Sequence, residues 1–416
     1  MDPVFDAQFL LVKEAFCGEG IQIGVAYTPD GKPDYLYERG HLLIADTDDN
    51  FARLERILPG LDRTDPEARP RTGDLVVVSL AGVEEGTLTV PDAMDRIGRE
   101  IGHDNLMMAA GGVRWVTPVS VLSIQRLCAP TEPSVPCESP AQPCPGPSPA
   151  GEGPHEVRIG VSDTGLVMPP DPAQSWMAGV GGDNDPQVQT LPDGRRVIRE
   201  YGGHGTFVAG VARCMAPGAG VHVNDHFTLS GAEREDVIIH KMEQLIADYQ
   251  PDVVNLSAGT YTRENWAPLG FFFLHERHQE LTLVAAAGND GTDREFFPAA
   301  LGWVVGVGAI GADRQHRAWF SNYGDWVNVY APGEGLVNAY ATGEYTYHEP
   351  PKRPAKQDFT GMARWDGTSF SSPMVAGLIA AEISRTGDPA PVARDTVLAA
   401  AQEVSGVGPV LFPPDE

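Results

Sequence analysis

The chain has 416 residues and carries 57 Asp and Glu against 30 Lys and Arg, a formal charge of −27; such a surface repels nucleic acid and anionic membrane and favours basic peptides or divalent cations. Hydrophobic residues make up 42% and no apolar run approaches transmembrane length, so a large and a small soluble domain are expected, with neither nucleic-acid nor membrane partners. The opening "MDPVFDAQFLLVKEAFCGEG" lacks the basic stretch and long apolar run of a signal peptide, and five cysteines, three of them in one proline-rich tract, read as mostly free thiols, so the cytoplasm is the default expectation.

The first 30 residues carry no assignable pattern. Beyond them, a strand near 35–46, a helix at 49–58, strands at 74–80 and 86–90, a helix at 92–102 and a strand at 112–124 predict the order βαββαβ. That order defines a small ferredoxin-like α+β domain over residues 1–126. Residues 127–154 include "CAPTEPSVPCESPAQPCPGPSPAGEGP", rich in Pro and Ser and nearly devoid of large apolar side chains. Such a segment cannot bury a core, and a flexible extended linker is expected.

From 155 to 416 the pattern changes. The apolar runs "VRIGVSD" (157–163), "GVHVND" (220–225), "PDVVNLSAG" (251–259), "LTLVAAAGN" (281–289) and "WVVGVGAI" (303–310) alternate with helical stretches at 233–249 and 269–280. Strands apolar on both faces and separated by helices predict an α/β fold, a doubly wound parallel sheet whose ligands sit beyond the carboxyl ends of the strands.

Three motifs stand out. "IGVSDTG" puts Asp163 where a buried strand finishes. "YGGHGTFVAGVARCMAP" puts His204 among glycines at the start of an apolar helix, placed to accept a proton. "WDGTSFSSPMVAGLIAAEIS" crowds Thr368, Ser369, Ser371 and Ser372 ahead of another. One of these hydroxyls is expected to cap the helix, with Pro373 tolerated in a first turn whose N–H groups are unpaired anyway. Ser369 is then free to act as a nucleophile, its proton taken by a histidine. Taken singly, each motif has a plain structural reading as a turn, a core histidine and a helix cap.

In the order Asp, His, Ser the motifs are far more specific, and over roughly 155–403 the sequence resembles the subtilisin-like serine peptidases, or subtilases. The resemblance implies that Ser369 attacks the scissile carbonyl, His204 serves as base and then acid, and Asp163 orients His204. Asn289, in "VAAAGND", would donate to the oxyanion with the backbone N–H of Ser369. It further implies that "LSAG" (256–259) and "AAAG" (285–288) flank the specificity pocket, with Ser257, Ala258, Gly259, Ala287 and Gly288 pairing with an extended protein or peptide substrate. The smallness of 257–259 suggests an open cleft. Phe207, where many relatives have His, carries no catalytic implication. No cofactor is implied and no residue is assigned to a metal, although acidic loops of subtilases often bind calcium; "GGDNDPQ" (181–187) has no EF-hand spacing and reads as a solvated loop.

The N-terminal domain resembles a subtilase propeptide, with self-cleavage expected in the linker. A permanent recognition domain is the alternative for that part, and a catalytically silent binding protein is the alternative for the whole. An aspartic protease built on the Asp-Thr-Gly at Asp163 would need a homodimer, because the chain has no second such motif. Whether Tyr345–Asp358, with its three prolines and basic residues, shapes the cleft is left open by the sequence.

Overall fold

The computed structural model of the protein describes residues 3–64, 72–101, 116–123, 131–148, 152–169, 171–349 and 351–414. The N-terminal part begins with helix α1 (Pro3–Cys17) and a hairpin of β1 (Ile23–Tyr27) and β2 (Pro33–Ala45). It continues through α2 (Asp48–Ile57), β3 (Asp62–Arg63), β4 (Leu75–Ser79), α3 (Val90–Ile101) and β5 (Val116–Ser123). The antiparallel sheet runs β5-β2-β4-β3, the fourth, first, third and second strands of a ferredoxin-like βαββαβ unit.

The topology therefore matches the expected order, but the second strand lies elsewhere in the chain. Residues 86–90 are no strand: a 3-10 turn at Val83–Gly86 leads into α3, and Thr89 Oγ1 accepts from Asp92 N (3.2 Å) as a side-chain cap. The second strand is instead the two-residue Asp62–Arg63, too short and too charged to show any alternation. Residues 112–115, at the start of the expected last strand, lie outside the described residues.

Period-two alternation gives this sheet two buried faces. Leu42, Ile44, Val76 and Val78 pack with Leu54 of α2, Leu58 just after it, and Met94 and Ile97 of α3. Leu43, Leu75, Val77, Val119 and Leu122 face the other way, into the C-terminal domain.

That domain opens with β6 (Arg158–Asp163), followed by the short strands β7 (Gly181–Gly182), β8 (Val188–Thr190) and β9 (Arg196–Ile198). Next come α4 (His204–Met215), β10 (Gly220–Asp225), β11 (Ala232–Arg234), α5 (Glu235–Tyr249), β12 (Val253–Leu256), α6 (Leu269–Arg277), β13 (Thr282–Ala286), β14 (Val305–Ile310) and β15 (Val329–Pro332). A long hairpin, β16 (Leu336–Thr346) with β17 (Lys356–Trp365), precedes α7 (Thr368–Thr386), α8 (Ala390–Ala399), β18 (Gln402–Val404) and β19 (Gly408–Val410).

The main sheet has the order β18-β19-β15-β14-β13-β12-β6-β10-β7 and is parallel except for the β18–β19 pair. One face is covered by α4 and α7, the other by α5 and α6, which carry Ile238, Ile239, Met242, Phe271 and Leu274 against the N-terminal sheet. The two parts also share strands. β11 adds to the edge of β5, and Ser123 forms a bridge to Gly259.

Residues 131–148 depart from the expected flexible linker. Ser134 and Arg364 exchange backbone hydrogen bonds, as do Cys144 and Val337, and Ser148 N donates to Cys214 O (2.8 Å). A proline-rich segment has no core of its own, yet its extended backbone keeps carbonyls and the remaining N–H groups for an edge strand to pair with. Cys17, Cys137, Cys144 and Cys214 are free thiols; Cys128 lies outside the described residues.

Candidate active site

Asp163 is the last residue of β6, fully buried at the carboxyl edge of the sheet. Its Oδ1 accepts from His204 Nδ1 (2.7 Å) and from Thr164 N (2.8 Å), and its Oδ2 has no partner. His204 opens α4 directly after Gly203, whose φ of +82° and close approach to the Tyr340 ring require glycine. The imidazole sits in an aromatic wall, with ring centroids 5.5 Å from Trp365 and 5.3 Å from Phe370. Phe207 completes that wall, 4.4 Å from Phe370.

Helix α7 begins at Thr368, after Gly367, and no hydroxyl of its own caps it. The cap comes from across the cleft: Asn289 Oδ1 accepts from both Thr368 N (2.8 Å) and Thr368 Oγ1 (2.9 Å). The four hydroxyls have separate tasks. Thr368 Oγ1 also accepts from Gly288 N (3.2 Å), Ser371 Oγ donates to Ala331 O (3.1 Å), and Ser372 Oγ pairs with Ser257 Oγ (3.1 Å). Ser369 Oγ is left with a single long contact, to Ser257 O at 3.4 Å.

Pro373 is the sixth residue of the helix, not part of its first turn. Having no N–H, it cannot donate to Ser369 O four residues back. Ser257 Oγ takes its place, donating to Ser369 O at 2.7 Å. The proline thus ties the backbone of Ser369 to the loop after β12. Substituting Ser257→Ala leaves Ser369 O and Asn255 Nδ2, which donates to Ser257 Oγ (2.9 Å), without those bonds in a buried site. A loss of about 1–3 kcal/mol of stability is expected, read from denaturant unfolding.

Asp163 and His204 are joined by a buried hydrogen bond, and Ser369 precedes Phe370, whose ring packs on the His204 imidazole. No hydrogen bond joins Ser369 to His204; such catalytic bonds commonly tighten only when substrate binds. Asn289 is 2% exposed, and its Nδ2 has no hydrogen-bond partner. Because Thr368 N can only donate, the Asn289 oxygen must face it and the amide nitrogen must face the other way. An oriented, desolvated donor is costly unless something accepts from it.

Of the five residues expected to line the pocket, Ser257 and Gly259 are covered by neighbouring segments in this structure. Ser257, Ala258 and Gly259 are fully buried, and Ala258 packs with the apolar side chains under the sheet. Ser123 N donates to Gly259 O (2.9 Å) and accepts from Gly259 N through its carbonyl (3.2 Å). Ala287 N donates to Val307 O (2.9 Å), while Gly288, at φ +94°, lies against Asn322 and Phe296.

The acidic loop 181–187 is not simply solvated. Asp185 is buried and accepts from Gly203 N (2.6 Å) and Gln187 N (2.8 Å), fixing the residue before His204. Burial pushes its carboxyl up to about 7 against the pull of those bonds. Asp183 accepts from Asn224 Nδ2 and Asp225 N. These carboxylates are engaged, and among the described residues no cluster of three His, Cys, Asp or Glu is arranged for a metal ion.

Asp225, level with Asp163 on the neighbouring strand, is likewise pushed up to about 7 by burial, and its Oδ1 has no partner. A carboxyl raised in the folded state holds its proton when the unfolded chain has already released it, so stability falls as pH rises from about 4 to about 7. Asp225→Asn is therefore expected to raise the melting temperature at pH 8 and to leave it nearly unchanged at pH 4.

Thr368, Trp365 and Asp185 are the positioning groups that motif reading missed. Thr368 and Trp365 stand within "WDGTSFSSPMVAGLIAAEIS", and Asp185 stands in the acidic loop 181–187.

A doubly wound parallel sheet bearing Asp, His and Ser in that chain order at its carboxyl edge defines the subtilisin-like class. The chain belongs to the subtilase family, whose model matches residues 155–405. A thermophilic serine proteinase of Bacillus sp. (strain AK1) is 33% identical over 226 residues, 49% of this chain and 48% of the relative. An intracellular serine protease of Paenibacillus polymyxa is 29% identical over 203 residues, 44% of this chain and 54% of the relative. The match spans about half the length of each. Among solved structures, fervidolysin of Fervidobacterium pennivorans, described as a keratinolytic enzyme related to subtilisin, shares the fold with a TM-score of 0.57 at 19% identity, covering 90% of this chain and 60% of that one.

Proposed function

We propose that the chain is a serine endopeptidase acting through Asp163, His204 and Ser369. The observation that carries this reading is the buried 2.7 Å Asp163–His204 bond, set against a serine whose hydroxyl is left almost unengaged at a helix start. Ser369 Oγ attacks the scissile carbonyl as its proton passes to His204, and the imidazolium is held by Asp163. The carbonyl oxygen, now an oxyanion, accepts from Asn289 Nδ2 and from the Ser369 N–H. His204 then gives its proton to the leaving amine, the acyl-enzyme forms, and water, deprotonated by His204, hydrolyses the ester.

Asn289→Asp keeps the acceptor that Thr368 needs but replaces the unpartnered donor with an oxygen. The expected result is a kcat lower by about a hundredfold or more, with KM little changed. Equal losses of kcat and 1/KM would remove Asn289 from this role.

The N-terminal domain supports self-cleavage as part of the same reading. Ser123 and Gly259 exchange both backbone bonds, so in an antiparallel ladder the next such exchange falls two residues along, opposite Ser257. Ser257 O is the atom beside Ser369 Oγ. A peptide paired in that register offers Ser369 the carbonyl of the second residue after the Ser123 position, and counting along this chain gives the Gln125–Arg126 bond. Both residues lie outside the described ones. Incubating the full chain should produce a new N-terminus at Arg126, absent in Ser369→Ala. An active enzyme that never cuts itself would make the N-terminal domain a permanent recognition module. Neither cutting nor hydrolysis of added peptides would leave the silent binding protein as the better reading.

A further inference from the structure

The segment Thr131–Ser134 lies along the histidine side of the cleft. Trp365 stands edge-on to the His204 ring, and its Nε1 donates to Thr131 O (2.7 Å). Thr131 Oγ1 donates to Asp366 Oδ2 (3.2 Å). Ser134 N donates to Arg364 O (2.9 Å), and Arg364 N donates to Ser134 O (2.7 Å). Between them, the Glu132 carboxylate accepts from His348 N (2.6 Å), Tyr345 OH (3.1 Å) and Glu349 N (3.3 Å). The β16–β17 hairpin thus receives this segment at its outer end through Tyr345–Glu349 and at its inner end through Arg364–Trp365.

The chemistry says which half of a substrate belongs there. The acyl half pairs with Gly259, the edge that Ser123 takes. The departing amine receives its proton from His204, so the chain beyond the scissile bond runs past His204 and along the edge formed by Arg364, Trp365 and Asp366. Thr131–Ser134 pairs with that edge.

Resting on the protease reading above, we propose that Thr131–Ser134 is a built-in competitor for the leaving-group half of the cleft, making the enzyme discriminate against substrates that extend well beyond the scissile bond. The segment is joined to β6 through residues 135–157, so a cut anywhere between Ser123 and Thr131 removes the N-terminal domain but leaves the competitor tethered at high effective concentration. Glu132 is its principal anchor, and the Ser134 N–H holds its register on Arg364.

The test compares two substrates with the same acyl residues in the full-length chain. One ends in an aminocoumarin leaving group; the other is a quenched fluorescent peptide with four residues after the scissile bond. Because both share the acyl half, any obstruction by the N-terminal domain cancels in their ratio. Glu132→Ala and, independently, Ser134→Pro should raise kcat/KM for the extended peptide by about tenfold, mainly through KM, and leave the aminocoumarin substrate within about twofold. Thermal melts identify a variant that has lost its fold, in which case the other decides. An unchanged ratio in the folded variant, or an equal rise for both substrates, overturns the proposal. Absence of hydrolysis and of fluorophosphonate labelling in every form sinks the protease reading, and this inference with it.

Discussion

Ser369→Ala is expected to lower kcat for peptide hydrolysis by about a million-fold while leaving the fold intact. The Ser369 hydroxyl makes only the 3.4 Å contact with Ser257 O, so its removal breaks no strong bond. The contacts that position residue 369 are backbone ones and survive: Ser257 Oγ on its carbonyl and Asn289 on the preceding Thr368. A melting temperature within a degree or two of the parent, combined with the loss of turnover, separates a chemical role from a structural one. A residual rate within tenfold of the parent would mean that another group attacks the carbonyl.

Asp163→Asn should cost about ten-thousand-fold in kcat. The amide has the carboxylate's shape, and its oxygen can still accept from His204 Nδ1 and Thr164 N, as Oδ1 does now. The missing element is the negative charge beside an imidazolium that forms only in the transition state, in a site with almost no water to replace it. The loss should therefore fall on kcat, with KM nearly constant. A mild effect would show that the buried pair is structural.

Much of the C-terminal domain was legible because its elements obey strong local rules. Strands such as Arg158–Asp163 and Thr282–Ala286 are short apolar runs in the sequence and parallel, doubly covered strands in the structure. Asp163, His204 and Asn289 follow strands or open helices, the positions at which a parallel sheet exposes side chains. The features that escaped depend on distant partners. Nothing local to "GTSFSSP" says that its cap comes from Asn289 or that Ser257 replaces the bond Pro373 cannot make. Glu132 looks like any charge in a proline-rich tract until β16 brings Tyr345 and His348 to it. In the N-terminal domain, Asp62–Arg63 pairs with β4 and is held by the bonds of Arg63 to Asp46 and Asp48, whereas the alternating "GTLTV" at 86–90 yields to the cap that Thr89 provides.

The most direct test of the central claim is reaction of the full-length protein with a fluorophosphonate probe, followed by peptide mapping of the adduct by mass spectrometry. Stoichiometric phosphonylation of Ser369, lost in His204→Ala as well as in Ser369→Ala, is the predicted result. Labelling that persists in His204→Ala at the parent rate, or an adduct on any other residue, would contradict the account.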